Sequence, residues 1–150
     1  MVKLNIPEYT FKYRIVNSKQ QVFDTVRKKY VALTPEEWVR QNFVSWLIQE
    51  LKYPASHIAI EKELLLNEMK KRFDVVIFNR DNKPAMLIEC KAPEIKITQK
   101  TFDQAARYNM VLKLKYLIVT NGLEHYCCEI DFIENRYSFL EIIPNYNNIL

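Results

Sequence analysis

Two short runs, Val75-Val76-Ile77-Phe78 and Ala85-Met86-Leu87-Ile88, are apolar at every position. A strand points successive side chains to opposite faces, so strands built from these runs must be covered on both sides. They are read as central strands, Phe73–Asn79 and Ala85–Lys91, of a sheet with other layers packed on it. Charged residues interrupt both: Asp74 opens the first strand, and Glu89 and Lys91 close the second. Acids and lysines are depleted in strand interiors, so their presence here asks for a reason.

The rest of the chain supplies the covering layers. Thr34 can cap a helix, Pro35 suits its first position, and Glu36 and Glu37 complement the positive end of its dipole. Val39, Phe43, Trp46, Leu47 and Leu51 then recur at three- and four-residue spacing until Tyr53-Pro54 ends the pattern. Ile58–Leu66 reads as a strand, Thr98–Leu114 as a second helix and Tyr116–Thr120 as a buried strand. Asn121-Gly122 predicts a hairpin that returns through Leu123–Ile130. Arg136–Ile143 predicts a last edge strand, and Asn145–Leu150 a loose tail. Upstream, Phe11, Tyr13 and Ile15 alternate with Lys12 and Arg14 as in a half-buried strand. A turn at Asn17-Ser18-Lys19 and the run Gln21–Thr25 complete a hairpin. The expectation is an α/β fold, a mixed sheet with helices packed on it, in one domain over residues 1–150. An N-terminal hairpin extension spans 1–33, the core 34–143 and the tail 144–150.

Composition narrows the function classes. With 49% hydrophobic residues and a single glycine, disorder and flexible linkers are excluded. No apolar run approaches the roughly 18 residues that cross a bilayer, and the N-terminus has no signal-peptide core, so a soluble, cytoplasmic chain without membrane attachment is expected. Cys127 and Cys128 are adjacent and Cys90 stands apart, which suits neither a disulfide framework nor a zinc cage. His57 and His125 lack companion ligands. The net charge of +4 is unevenly spread: residues 1–30 hold seven Lys/Arg against two acids, and residues 121–150 hold one against five. Such asymmetry permits a phosphate-facing side. Arg27-Lys28-Lys29 and Lys70-Lys71-Arg72 are the candidate DNA-backbone contacts, with solvated surface as the plain alternative.

The chemistry concentrates between Arg72 and Lys91. If the two central strands form an antiparallel hairpin whose connection is centred between Asp81 and Asn82, Asp74 faces Glu89. Lys91, two residues further, points the same way. Two carboxylates held this close repel each other; a divalent cation relieves the repulsion. A few rigid oxygen ligands match the way Mg2+ is bound between protein carboxylates and substrate phosphates. Such an ion can polarise a phosphodiester and activate a water for in-line attack, with Lys91 offsetting the developing charge. The alternative is a salt bridge of Lys91 with Glu89 or Asp74 at the sheet rim. Gln104 and Tyr108, four apart, share one face of the second helix. Gln104 also has a structural use, in a capping box Thr101-Phe102-Asp103-Gln104, and Tyr108 in packing. Cys90, between the two charged positions, points to the opposite sheet face and belongs to the core.

Asp74, then Glu89-Cys90-Lys91, then Gln104-Ala105-Ala106-Arg107-Tyr108 resembles the PD-(D/E)xK nuclease superfamily, in the branch with an added Q-x-x-x-Y motif. More closely, VFDTVRKKYVALTPEEWVRQ, RFDVVIF, LIECKAP, FDQAARYN and VTNGL resemble the N-terminal nuclease-like domain of type I restriction enzyme R subunits, and small bacterial proteins consisting of that domain alone. The resemblance runs from about Val22 to Tyr126. It implies a restriction-endonuclease-like helix-strand-strand-strand-helix-strand core and cleavage of DNA dependent on Mg2+ or Mn2+. Asp74 and Glu89 become metal ligands, Lys91 the catalytic lysine, and Gln104 and Tyr108 the accessory pair. It also implies a further acid from the first helix, Glu36 as first choice and Glu37 as second, where dipole compensation is the competing explanation. Phe73 departs from the proline of the superfamily name. The R subunits couple this domain to an ATP-driven motor, whereas these residues hold no G-x-x-x-x-G-K-[ST] loop, so ATP use by this chain is not expected.

The leading expectation is thus a metal-dependent DNA phosphodiesterase. Its rivals are a nuclease-fold module that binds DNA or another restriction-modification subunit without cutting, and a structural domain whose carboxylates form a rim salt-bridge cluster.

Overall fold

The computed structural model describes residues 1–149. Tyr13–Val16 (β1), Lys19–Asp24 (β2) and Lys29–Ala32 (β3) form a three-stranded antiparallel sheet. Ile58–Leu66 (β4), Met69–Phe78 (β5), Pro84–Cys90 (β6), Tyr116–Thr120 (β7), His125–Asp131 (β8) and Arg136–Leu140 (β9) form a six-stranded sheet in chain order. All its neighbours are antiparallel except β6 and β7. That parallel pair needs a crossover, and the helix Gln99–Leu112 (α2) provides it. Pro35–Gln49 (α1) precedes the sheet. The fold is a mixed α/β one, a helix-strand-strand-strand-helix-strand core with two strands added at one edge.

The apolar runs occupy the centre because alternate residues serve two cores. Val75, Ile77, Met86, Ile88 and Ile118 pack with Val39, Phe43 and Leu47 of α1. Val76, Leu87, Leu117 and Val119 pack with Phe102, Ala105 and Ala106 of α2. Burying each such aliphatic side chain contributes about 1.5–3 kcal/mol. Cys90 lies in the α1-side core. Helix α1 begins as its sequence predicts: the Glu37 N–H donates to Thr34 Oγ1 at 3.0 Å, with Pro35 in the first turn.

Several local expectations need correction. The N-terminal hairpin gains a third strand, β3, and β1 is exposed throughout rather than half-buried; the buried positions of this sheet are Val22 and Asp24 of β2. The Phe11 ring instead meets Trp38. Strand β5 starts at Met69, not Phe73, because Asn67 and Glu68, both at positive φ, turn the chain tightly out of β4. That conformation is recognisable when glycine supplies it, and here none does. The tail is packed, not loose: Tyr146 and Ile149 join the α1-side core, and the Tyr146 hydroxyl donates to the Phe78 carbonyl at 3.1 Å. Leu150, at the end of the expected tail, lies outside the described residues.

The β7–β8 turn clasps the N-terminal segment. The Asn121 carboxamide oxygen accepts from the N–H groups of Leu123 and Glu124, and Gly122 has φ +85°. The Gly122 carbonyl accepts from Asn5 N–H at 2.8 Å, while Leu4 and Ile6 enter the core. A methyl group at Gly122 would sit 2.7 Å from Leu4 Cδ2 and 3.2 Å from Val39 Cγ2. Gly122→Ala is therefore expected to lower stability by about 2 kcal/mol through backbone strain and overpacking, read as a shifted urea midpoint at unchanged slope.

Candidate nuclease-type site

The site forms where the central ladder ends. Val75 pairs with Ile88, Val76 with Leu87 and Ile77 with Met86, and the regular ladder stops there, one residue short of Asp74 and Glu89. On the other side, β4 pairs Ile60 with Val75 and Lys62 with Phe73, and Glu61 between them has φ +53°. The ladder is thus interrupted on both flanks of Asp74. Its carboxylate takes over as acceptor: Oδ2 accepts from the Cys90 N–H at 2.8 Å, and Oδ1 from Arg40 Nη1 at 3.3 Å.

Glu89 sits differently. Its position follows Leu87, placing it on the α2 side, and its Oε1 is buried with no hydrogen-bond partner. Burial first, and then the Asp74 charge, push its carboxyl up to about 7 against the opposing pull of Lys91, Lys71 and a hydrogen bond from the Asp74 backbone N–H. Lys71, Glu89, Lys91, Thr101, Gln104 and Tyr108 line a cavity of about 130 Å³. The Gln104 amide donates to Tyr108 Oη at 3.2 Å. No capping box occupies Gln104, because α2 starts earlier than that pattern supposes: Thr98 is the cap, accepting from Thr101 N–H. Lys91 extends the β6–β7 pairing by donating its N–H to the Thr120 carbonyl at 2.8 Å.

The first-helix acids divide. Burial and the Asp74 charge raise the Glu36 carboxyl, with Arg40 and Lys91 opposing; it faces the site from the rim of a second, larger cleft of about 690 Å³ that also borders Lys29, Arg40, Glu61 and Ala92. Glu37 turns inward. Burial would raise it, but Arg40 and Arg27 outweigh that and leave it below the usual carboxylate range. Arg40 Nη2 and Arg27 Nη2 lie 2.6 and 2.8 Å from Glu37 Oε1.

The basic candidates also separate. Arg27 is not an open phosphate contact, since Asp24, Glu37 and Glu61 engage its guanidinium and its side chain is 12% exposed. Lys28, Lys29, Lys70 and Arg72 are exposed, whereas half-buried Lys71 lies in the α2-side cavity. Arg40 escaped the sequence reading. Its only signal was the four-residue spacing from Glu36, which is equally the signature of a surface helix pair.

Among the described residues no three of His, Cys, Asp and Glu gather as a metal cage. Asp74 and Glu89 feel each other's charge, yet they do not share one face as the hairpin register predicts. Asp74 is engaged by Arg40 of α1, whereas Glu89 lines the α2-side cavity, because the irregular backbone around Glu61 breaks the alternation at Asp74. The orphaned Glu89 Oε1 beside a second carboxylate fits a hard cation that takes few protein ligands and keeps its waters.

A model of the family described as type I restriction enzyme R protein N terminus matches residues 35–144. The chain belongs to this family. Among solved structures, it is similar to a fragment assigned to an HsdR subunit of a type I restriction enzyme from Vibrio vulnificus YJ016, with a TM-score of 0.54 and 21% identity over 78% of this chain. That likeness concerns the fold. The match covers 24% of the HsdR fragment's chain. No curated protein matches the chain. The family region contains Asp74, Glu89, Lys91, Gln104, Tyr108 and both first-helix acids. Also among the described residues, no helix of this R-protein N-terminal module is long and apolar enough to cross a membrane.

The Glu89 environment makes stability depend on pH. With a folded value of about 7 against an unfolded value of about 4.3, the folded protein keeps a proton that the unfolded chain sheds. The resulting stabilisation is present in full below pH 4 and lost as pH rises through 7. Glu89→Gln, permanently neutral, is expected to stay close to the wild type at pH 4.5 and exceed it by about 3–4 kcal/mol at pH 8 without divalent metal, as measured by urea unfolding in EDTA.

Proposed function

We propose that this chain is a metal-dependent nuclease that hydrolyses phosphodiester bonds of DNA. The observation that carries the proposal is the unpartnered Glu89 Oε1, buried beside Asp74 and next to Lys91. A carboxylate oxygen that is desolvated and unbonded costs about 1–3 kcal/mol or more, and a cation is the partner that a neighbouring acid makes favourable. Asp74 and Glu89 would hold Mg2+ or Mn2+, which when bound supplies Lewis acidity toward a phosphoryl oxygen and a water of lowered pKa.

The chain's own residues do the rest. Cys90 N–H and Arg40 fix the Asp74 carboxylate, so its orientation needs no rearrangement on binding. Lys91 provides a point charge for negative charge developing on the phosphoryl group. Gln104 and Tyr108 present an amide and a phenol from one helix face to the same cavity, and Glu36 adds an acid from the α1 side. Substrate reaches these groups along the larger cleft. Lys29 borders that cleft, and Lys12, Arg14, Lys19 and Lys28 are exposed on or beside the N-terminal sheet. Phosphate contacts of this kind give affinity that falls steeply with salt and carries no sequence information.

A second reading rests on the Arg40–Asp74 pair. A guanidinium already on Asp74 competes with a cation, as it would in a module that binds DNA or a restriction-modification partner without cutting alone.

Supercoiled plasmid incubated with Mn2+ separates the two. The nuclease reading expects nicking that falls at least 100-fold in both Asp74→Ala and Lys91→Ala, and calorimetric metal binding that Asp74→Ala abolishes. Absence of metal binding even with DNA present, or equal nicking by wild type and both variants, would remove that reading in favour of the binding module.

A further inference from the structure

Lys71 is placed unlike its neighbours. Lys70 and Arg72 are exposed, while Lys71 is half-buried and turned toward α2. Its ammonium lies 4.5 Å from the centre of the Tyr108 ring and 5.7 Å from that of Phe73. The two rings meet edge to face at 6.2 Å, forming a corner that holds the cation through ring quadrupoles. Gln104 donates to the Tyr108 hydroxyl at the far end of the ring.

The cavity this builds holds two ammonium groups against one carboxyl, that of Glu89. Lys71 and Lys91 flank Glu89, and neither makes an ion pair among those found in the described residues. A volume of about 130 Å³ has room for about four waters, enough for one tetrahedral phosphate and too little for a nucleoside. Two ammonium groups facing a single carboxyl whose pKa burial raises, neither of them ion-paired, line a phosphate-sized space with an amide and a phenol on its wall and form an anion site.

We propose that Lys71 and Lys91 bind one backbone phosphate of the substrate in this cavity, and that Tyr108 acts there through its ring, as the positioning residue for Lys71. The ring is then a lysine holder: its edge-to-face contact with Phe73 sets its plane, and the ring orients the ammonium. This rests on the reading above for the substrate being DNA, but not on cleavage.

The test reads binding in EDTA, where no cutting occurs: fluorescence anisotropy of a labelled DNA duplex across a KCl series. Lys71→Ala is expected to weaken binding about five- to tenfold and to reduce the salt slope by about one. Tyr108→Phe, which keeps the ring, should match the wild type. Tyr108→Leu should behave like Lys71→Ala, and the double variant should be no worse than either. Thermal melts by circular dichroism confirm that each variant is folded. An unchanged slope in Lys71→Ala, a Tyr108→Phe defect as large as that of Tyr108→Leu, or no DNA binding by the wild type would overturn the proposal. Wild-type protein that binds with this pattern but never nicks plasmid would retain the phosphate subsite and sink only the nuclease reading.

Discussion

A guanidinium buried between three structural elements is the constraint on which the rest of this molecule depends. The Arg40 side chain is 7% exposed, and taking a charge out of water costs several kcal/mol unless its hydrogen bonds are replaced. Arg40 replaces them with both oxygens of Glu37 and with Asp74. Glu37 also accepts from Arg27 and Gln41, and both of those bond Asp24. One continuous network therefore joins β2, α1 and β5. Loss of one member leaves the others desolvated and unpaired, so the N-terminal sheet, the first helix and the site aspartate stand or fall together.

That network explains an asymmetry between the two site carboxylates. Asp74 is reached from the α1 side and is held by Arg40 and by a backbone N–H. Glu89 projects to the α2 side, where no buried donor meets its Oε1. An anion satisfied at one position and unsatisfied at the next gives a fixed point and an acceptor still open to a partner. Across the same cavity the cations show the converse condition, since Lys71 rests on aromatic faces and neither it nor Lys91 is neutralised by a carboxylate. Charges of both signs without an ion-pair partner distinguish this corner from the paired interior of the Arg27–Arg40 network.

Much of the architecture was legible from local patterns. The runs at Val75 and Ala85 required covering on both faces, Thr34-Pro35 marked the start of α1, and the turn between the central strands fixed the pairing of Val75 with Ile88. Reading failed where local signals were absent or ambiguous. The Asn67-Glu68 turn lacks glycine, β3 is too short for periodicity to show, and the tail containing Tyr146 is anchored only by contacts with residues far away in sequence. At the site, Lys71 looked like one member of a surface triplet because its distinguishing contacts are with Tyr108 and Phe73, and α2 is brought there only by the crossover.

The sequence by itself determined the order of elements, the central strands and the Val75–Ile88 register between them, because strand alternation and turn position are properties of neighbouring residues. Only the tertiary structure decided how the charges at the site are used. It turned Glu36 toward the site and Glu37 away, withdrew Arg27 from any phosphate, and set Arg40 on Asp74 and Lys71 on Tyr108. The pairing of a buried charge is settled by whichever partner the fold carries within hydrogen-bonding reach, and that distance is not encoded in any local pattern.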